Sequence, residues 1–446
     1  MPFIPNTSRQ EEEILKALGV SSFEDLLNEI PSRLLFHGDL NLPAPLSELE
    51  ALKLLRELAG KNKTMWDYAC FLGGGAYDHF VPSVVDTILS RSEFYTAYTP
   101  YQPEVSQGTL QAAFEYQTMI CELTGMEVTN ASMYDGGSAL AEAVLMAHGQ
   151  KRIDRVLVSE GVNPNYRQII QTYCHGQQIA VEPIRLTNSG QTDLDHLKTL
   201  LEQPACAVVL QHPNFFGALE EVFEAEQLIH SANALYITSV DPISLGILAP
   251  PGDYKADIVT GEGQVLGNAL SYGGPYLGIF SVRKEWVRRM PGRLIGETVD
   301  AKGRRGFVMT LQTREQHIRR ERATSNICTN QALNALAATV YLSWLGKKGI
   351  REVAEQCLQK SHYLANHIAD VPGFSLHFKA PFFKEFTVEC PVPAANVIQR
   401  LKEKRIFAGL DLGRYNPEWK NLLLVAVTEK RTRQEMDEYV KALGEL

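Results

Sequence analysis

A few stretches of this sequence carry residues whose types and placement could do chemistry. DGGSAL, Asp135 to Leu140, sets Gly136, Gly137 and Ser138 at the start of an apolar helical run. Backbone N–H groups and a hydroxyl at a helix N-terminus can cradle a phosphate, and the helix dipole favours the anion. A tight turn with a serine cap accounts for the same residues. Asp241 closes the apolar strand LYITSVD. A carboxylate there could hold a ring nitrogen protonated, and an acid capping the turn before Pro242 is the plainer account. His212 ends a similar strand ahead of Pro213 and Asn214, and reads as a ring contact or as a hydrogen-bonded structural histidine. Lys255 to Lys284 reads as strand, Gly-rich turn and strand. A lysine in such a turn can hold a carbonyl cofactor as an imine. This turn, GEGQVLG, offers Gln264 and Val265 instead, and no lysine lies between Ala256 and Arg283.

Other stretches are less pointed. Arg283, Arg288, Arg289, Arg293, Arg304, Arg305, Arg314, Arg319, Arg320 and Arg322 could clamp a carboxylate or phosphate, or form a solvated face paired with the chain's many acids. The tyrosine- and proline-rich segment FYTAYTPYQPEVSQG is too apolar for a free loop and is expected to pack on something, at a subunit interface, along a substrate channel or on its own core. The histidines, His79 in YDHFVP included, show no metal-ligand spacing, so no metal is expected.

These residues need elements to position them. From about Gln107 the chain alternates apolar strands with helical runs: GTLQAAFEYQTMICELTGM as helix, DRVLVSEGV as strand, NYRQIIQTYCHG as helix, QIAVEPIRL as strand, then ACAVVLQHPNFFG and ALYITSVDPISLG. Short strands that are nearly all hydrophobic, alternating with helices, predict a parallel sheet covered on both faces. Ligands gather outside the carboxyl ends of such strands, so Ser159–Asn165, His212–Phe216 and Asp241–Ser244 should line one mouth. The tail after Leu333 reads as a separate small α/β domain. The expected division is a helical arm and interface segment over 1–106, a large α/β domain over 107–346, and a small one over 347–446. In the arm, Ser8 with Glu11 and Ser22 with Asp25 read as capping boxes, and Ser47 to Ala59 as a helix.

The 446 residues, with a net charge of -9, argue against a nucleic-acid binder. No apolar run approaches the roughly eighteen residues of a membrane span. The start has no signal-peptide pattern, and seven scattered cysteines suggest reduced thiols, so the expected location is the cytoplasm.

Taken in order, these elements resemble the aspartate aminotransferase-like fold, fold type I of the pyridoxal-phosphate enzymes. FLGGGAYDHFVPSVVD, YTAYTPYQPEVSQGTLQAAFEYQTMICELTGM, ASMYDGGSALAEA and GRRGFVMTLQTREQHIRRERATSNICTNQAL are more specific. Together they resemble the glycine cleavage system P-protein, glycine decarboxylase, in its N-terminal half and over nearly the full chain. In many bacteria that half is a separate chain, subunit 1, paired with a subunit 2.

The resemblance implies a complex that decarboxylates glycine and passes the aminomethyl group to the lipoyl arm of the H-protein. In the family's catalytic half, histidine and lysine stand where this turn has Gln264 and Val265. Lys255 precedes the strand and Lys284 lies beyond the next one. The implied chain therefore has no catalytic lysine. Gly136, Gly137, Ser138 and Asp241 would be a vestigial cofactor pocket, with pyridoxal phosphate on the partner and not covalently here. Fold type I sites form at dimer interfaces, so Tyr98, Thr99, Tyr101 and Gln102, with Ser325 and Asn326, are the expected contacts to the partner's site. Two of each subunit are implied. The alternatives are an autonomous pyridoxal-phosphate enzyme with a displaced lysine, and a scaffold that only docks the H-protein. A Rossmann dehydrogenase lacks its GxGxxG after the first strand.

Overall fold

Strands that are apolar along most of their length need cover on both faces, and the computed structural model, which describes residues 5–446, supplies it. Among these residues seven strands form one sheet: β1 Val128–Thr129, β2 Arg155–Ser159, β3 Ala180–Ile184, β4 Ala207–His212, β5 Leu235–Val240, β6 Ile258–Glu262 and β7 Gly278–Val282. Their spatial order is β1-β7-β6-β5-β4-β2-β3. The run from β6 to β3 is parallel, and β7 is antiparallel to both of its neighbours. Successive side chains enter opposite layers. Val156 and Val158 join the core under helices Gly136–Lys151 and Pro164–Gln177, and Leu157 joins the core under Leu194–Leu200 and Val222–Ser231.

Helix Ala332–Ala369 leaves this core and turns sharply at Gly346, whose φ of 60° and ψ of -173° are not helical. Its first half packs with Val265 and Phe383, and its end packs on a four-stranded antiparallel sheet. That sheet runs Ser375–Leu376, Glu385–Glu389, Leu422–Ala426, Leu410–Asp411.

One seam brings the two sheets together. The turn after β4 meets the strand that begins at Glu385: Leu219 N–H donates to Pro381 O (2.8 Å), and Ala218 bridges Phe382. Gly217 sits there at φ +90°, and a Cβ on it would lie 1.7 Å from Glu385 O. Only glycine allows that approach.

The chain divides into two compact units after Lys63. In the first unit, helix Ser8–Leu18 is capped by Thr7 with Gln10, and not by the Ser8–Glu11 pair expected from the sequence; Gly19 ends it in the left-handed region. Ser22 and Asp25 do exchange cap-like hydrogen bonds, but around a single 3₁₀ turn, Glu24–Leu27. Helix Glu48–Ala59 carries the Ser47–Glu50 capping box. No residue from 5 to 63 is buried. Among the described residues no helix is long and apolar enough to cross a membrane.

Candidate functional site

The strand ends predicted to share a mouth do so. Asn163, Gln211, Pro213, Asn214, Ser239 and Asp241 line one pocket, closed on its other side by Phe383, Lys384 and Glu385 from the small sheet. His212 is not among its walls. Its Nδ1 accepts from Glu220 N–H (3.1 Å), and burial pulls the imidazole down to about 4, so it is a neutral structural histidine.

In this pocket, each polar group read from the sequence already has a partner. Asp241 Oδ2 lies 2.8 Å from Lys384 Nζ, and the lysine side chain is 2% exposed. The same ammonium stands 3.7 Å from the Tyr77 ring centroid and 3.0 Å from His79 Nε2. An ammonium has no lone pair, so Nε2 accepts and Nδ1 donates to Glu429 (2.6 Å). Beside it, Glu385 accepts from Gly74 N–H (2.7 Å) and Tyr77 Oη–H (2.8 Å), and burial pushes its carboxyl up to about 7.

The helix N-terminus is filled in the same way. Gly136 N–H donates to Glu262 Oε2 (2.9 Å), and the other carboxyl oxygen accepts from Gln264 N–H (3.0 Å) and Leu277 N–H (3.1 Å). Burial pushes Glu262 up to about 8, against the pull of these three donors. Ser138 N–H and Oγ are spent on a capping box with Asp135. A Cβ on Gly137 would lie 2.7 Å from Ile169 Cδ1, so the first turn is tightly packed.

Gln264 is a buried brace. Its amide donates to Tyr77 O (3.1 Å) and Asn268 O (2.8 Å), and its Oε1 accepts from Tyr77 N–H (2.9 Å). Val265 packs into the apolar core beside Leu266 and Leu277. The free volume left between these walls is about 30 Å³, and a space of about 330 Å³ adjoins it, sharing Gly75, Asn163, Tyr166 and Glu262. Pyridoxal phosphate does not fit the residues present: Lys384 holds the carboxylate and Glu262 holds the helix start.

Sequence reasoning weighed Lys255 and Lys284 and missed Lys384. Lys255 is exposed, 3.7 Å from Glu226, and Lys284 is exposed too. The available signal was a Lys-Glu pair inside the apolar run FFKEFTV, where two charges must be paired if the strand is buried.

His79, Cys357 and Glu429 bring their ligand atoms within 4.8 Å of one another. Lys384 occupies one imidazole nitrogen and Glu429 the other, and burial pushes the Cys357 thiol far above its ordinary range. A protonated thiol beside an ammonium makes a poor cation site.

The two segments expected at a partner's site lie together, joined by Arg293. Its guanidinium donates to Cys328 O (2.8 Å) and stands 5.8 Å from the Tyr101 ring centroid. Tyr98 is 88% exposed; Tyr101, Gln102 and Asn326 are also exposed, and Thr99 half-buried. Ser325 turns inward: its Oγ accepts from Ile327 N–H (3.0 Å) and faces Glu142, which burial pushes up to about 7.

The glycine cleavage system P-protein family matches residues 1–443. The chain belongs to this family. It is 56% identical over 446 residues to the probable glycine dehydrogenase (decarboxylating) subunit 1 of Chloroherpeton thalassium, covering all of both chains. Identity to the same-named protein of Carboxydothermus hydrogenoformans is 55% over 444 residues, covering all of this chain and 99% of that one. A crystal structure of glycine decarboxylase (P-protein) in inhibitor-bound form matches with a TM-score of 0.91 and 43% identity over the full length of both chains. Lactobacillus brevis glutamate decarboxylase matches at a TM-score of 0.69 and 12% identity, covering 93% of this chain and 95% of that one, a likeness of fold alone. The fold is that of the fold type I pyridoxal-phosphate enzymes, as the strand order and the family resemblance implied.

Proposed function

We propose that this chain is subunit 1 of a two-chain glycine decarboxylase, a subunit without the cofactor that completes the active site of a subunit 2. In that assembly glycine loses carbon dioxide and its aminomethyl group passes to the lipoyl arm of the H-protein. Pyridoxal phosphate, held by the partner, supplies the electron sink. The expected assembly is a cytoplasmic heterotetramer with two copies of each subunit.

The observation that carries this reading is the doubly blocked pocket. Lys384 neutralises Asp241, Glu262 consumes the donor at Gly136, and Val265 stands in the turn where a lysine is needed. The relatives are named as subunit 1, which supports a second chain. The exposed Tyr98, Tyr101, Gln102 and Asn326 offer hydroxyls and amides to a neighbour's site, and the coreless arm of residues 5–63 is surface that a partner would cover.

One observation favours a second reading. Lys384 is a lysine in the pocket, which an autonomous enzyme with a displaced lysine would require. Its Nζ lies 2.8 Å from Asp241 Oδ2, and an amine paired with a buried carboxylate is not free to attack a carbonyl. The test covers both readings. The chain alone is given pyridoxal phosphate, scanned in the visible, reduced with borohydride and peptide-mapped. Glycine–bicarbonate exchange is then measured with and without subunit 2. No labelled lysine, and exchange only in the mixture, is the expected result. A label on Lys384 with exchange from this chain alone overturns it. Within the active mixture, Asn326→Ala should lower turnover; unchanged kinetics would remove Asn326 from the site.

A further inference from the structure

A second pocket lies apart from the blocked one, between the segment Phe94–Pro100, hairpin strands Leu294–Val299 and Arg305–Thr310, and the start of helix Ala332–Ala369. Its free volume is about 90 Å³, and its walls are mostly apolar, with Ile295, Met309, Leu333 and Leu336 among them. Arg293 also lines it and is 7% exposed. A guanidinium carries a permanent charge and five N–H donors. Here one donates to Cys328 O (2.8 Å) and one reaches Asn330 Oδ1 (3.4 Å), while Nε has no partner. Among the described residues no carboxylate pairs with it. A buried cation without a counter-charge is costly and is normally matched by an anion.

A second feature converges on the same space. Ala332 and Leu333, in the first turn of the long helix, line the pocket, and the N-cap residue Gln331 makes no side-chain cap. The first-turn N–H groups and the helix dipole favour a negative group at that end. Positive potential from two sources thus meets in a small, largely apolar space.

We propose that this pocket binds a carboxylate carried on a short apolar stem. The carboxylate pairs with Arg293 at the helix start, and the stem lies against Ile295, Met309, Leu333 and Leu336. Two sources share that chemistry: an Asp or Glu side chain of a partner chain, and a free short-chain carboxylic acid. The proposal does not depend on which subunit carries the cofactor.

The probes are acetate, butanoate and hexanoate, titrated calorimetrically into the full chain, with butan-1-ol and butylamine as size-matched controls. Butanoate should bind at least tenfold more tightly than either control. Arg293→Gln should abolish that preference. Because Arg293 also holds Cys328, Ala97→Phe at the exposed rim is the second variant: it keeps the guanidinium, fills the space and should abolish binding as well. Repeating the titration on a complex with subunit 2 separates the sources. Butanoate binding lost on assembly assigns the site to a partner carboxylate, and binding retained assigns it to a free acid. Controls that bind as well as butanoate, no binding of any acid by the free chain, or wild-type affinity in both variants would overturn the proposal.

Discussion

Lys384→Met removes the ammonium while keeping an unbranched side chain of similar reach. At the observed 2.8 Å separation from Asp241, the attraction is about 6 kcal/mol at an effective dielectric of roughly 20. Part of that offsets the desolvation of both groups. The quantity the substitution reads is the cost of leaving Asp241 buried and unpaired, about 3–5 kcal/mol. The lost contact with the Tyr77 ring and the unmet His79 Nε2 act in the same direction, and overlap with that figure. For a chain of 446 residues the unfolding entropy is roughly 0.9 kcal/mol/K, so each kcal/mol moves the melting temperature by about 1 °C and a fall of about 3–5 °C is expected. The assay is calorimetric melting at pH 7 in low and high salt. A pair this buried should respond little to salt, in contrast to exposed pairs such as Arg9–Glu13. The double variant Lys384→Met with Asp241→Leu replaces the pair with apolar groups and should recover at least half of the loss. A single variant within about 2 °C of the parent, or a double variant no better than the single, would refute the argument that charge pairing closes the pocket.

Glu262 is raised to about 8 in the folded chain, above its ordinary 4.5, so its contribution to stability is fully present below pH 4.5 and is lost as pH rises through 8. Thermal melts from pH 5 to 9 should therefore show a fall that Glu262→Gln flattens; an equal slope in the variant would place the proton elsewhere. Gly217→Ala forces a Cβ against Glu385 O at a positive φ and should cost at least about 3 kcal/mol, read as a lower urea midpoint. Val265→Lys should not restore cofactor binding, because Lys384 and Glu262 still hold both ends of the pocket. A borohydride-fixed label at position 265 would show the pocket to be open.

The parallel sheet was legible because its strands are mostly apolar and their ends carry the turn residues that bring Asn163, Asn214 and Asp241 to one pocket. Each of those signals is local. The pocket's contents were not legible, because they depend on a partner far off in the chain. Asp241 reads as a capping or cofactor-facing acid until Lys384 is placed beside it, and that placement needs the seam at Gly217, where the β4 turn meets the small sheet. The capping of the first helix was missed by one residue, since Thr7 and Ser8 are both competent caps and the choice between them rests on backbone angles. Ser325 and Asn326 looked equivalent in sequence; the inward turn toward Glu142 separates them.

Losing a lysine from the turn does not by itself close a cofactor pocket. It would leave a carboxylate and a bare helix N-terminus facing an empty, low-dielectric space, each unfavourable without a partner. In this chain both are satisfied internally and from opposite directions: a cation from the small sheet meets Asp241, and a carboxyl from β6 meets Gly136. The groups that would bind a ligand's two ends instead bind the protein to itself. Asp241 thereby becomes a tie between the two sheets, and removing it should loosen the small sheet before it changes any ligand's affinity. Hydrogen exchange on Asp241→Asn, with protection falling first across Glu385–Glu389 and Leu422–Ala426, is the result this reasoning requires; uniform loss across both sheets would contradict it.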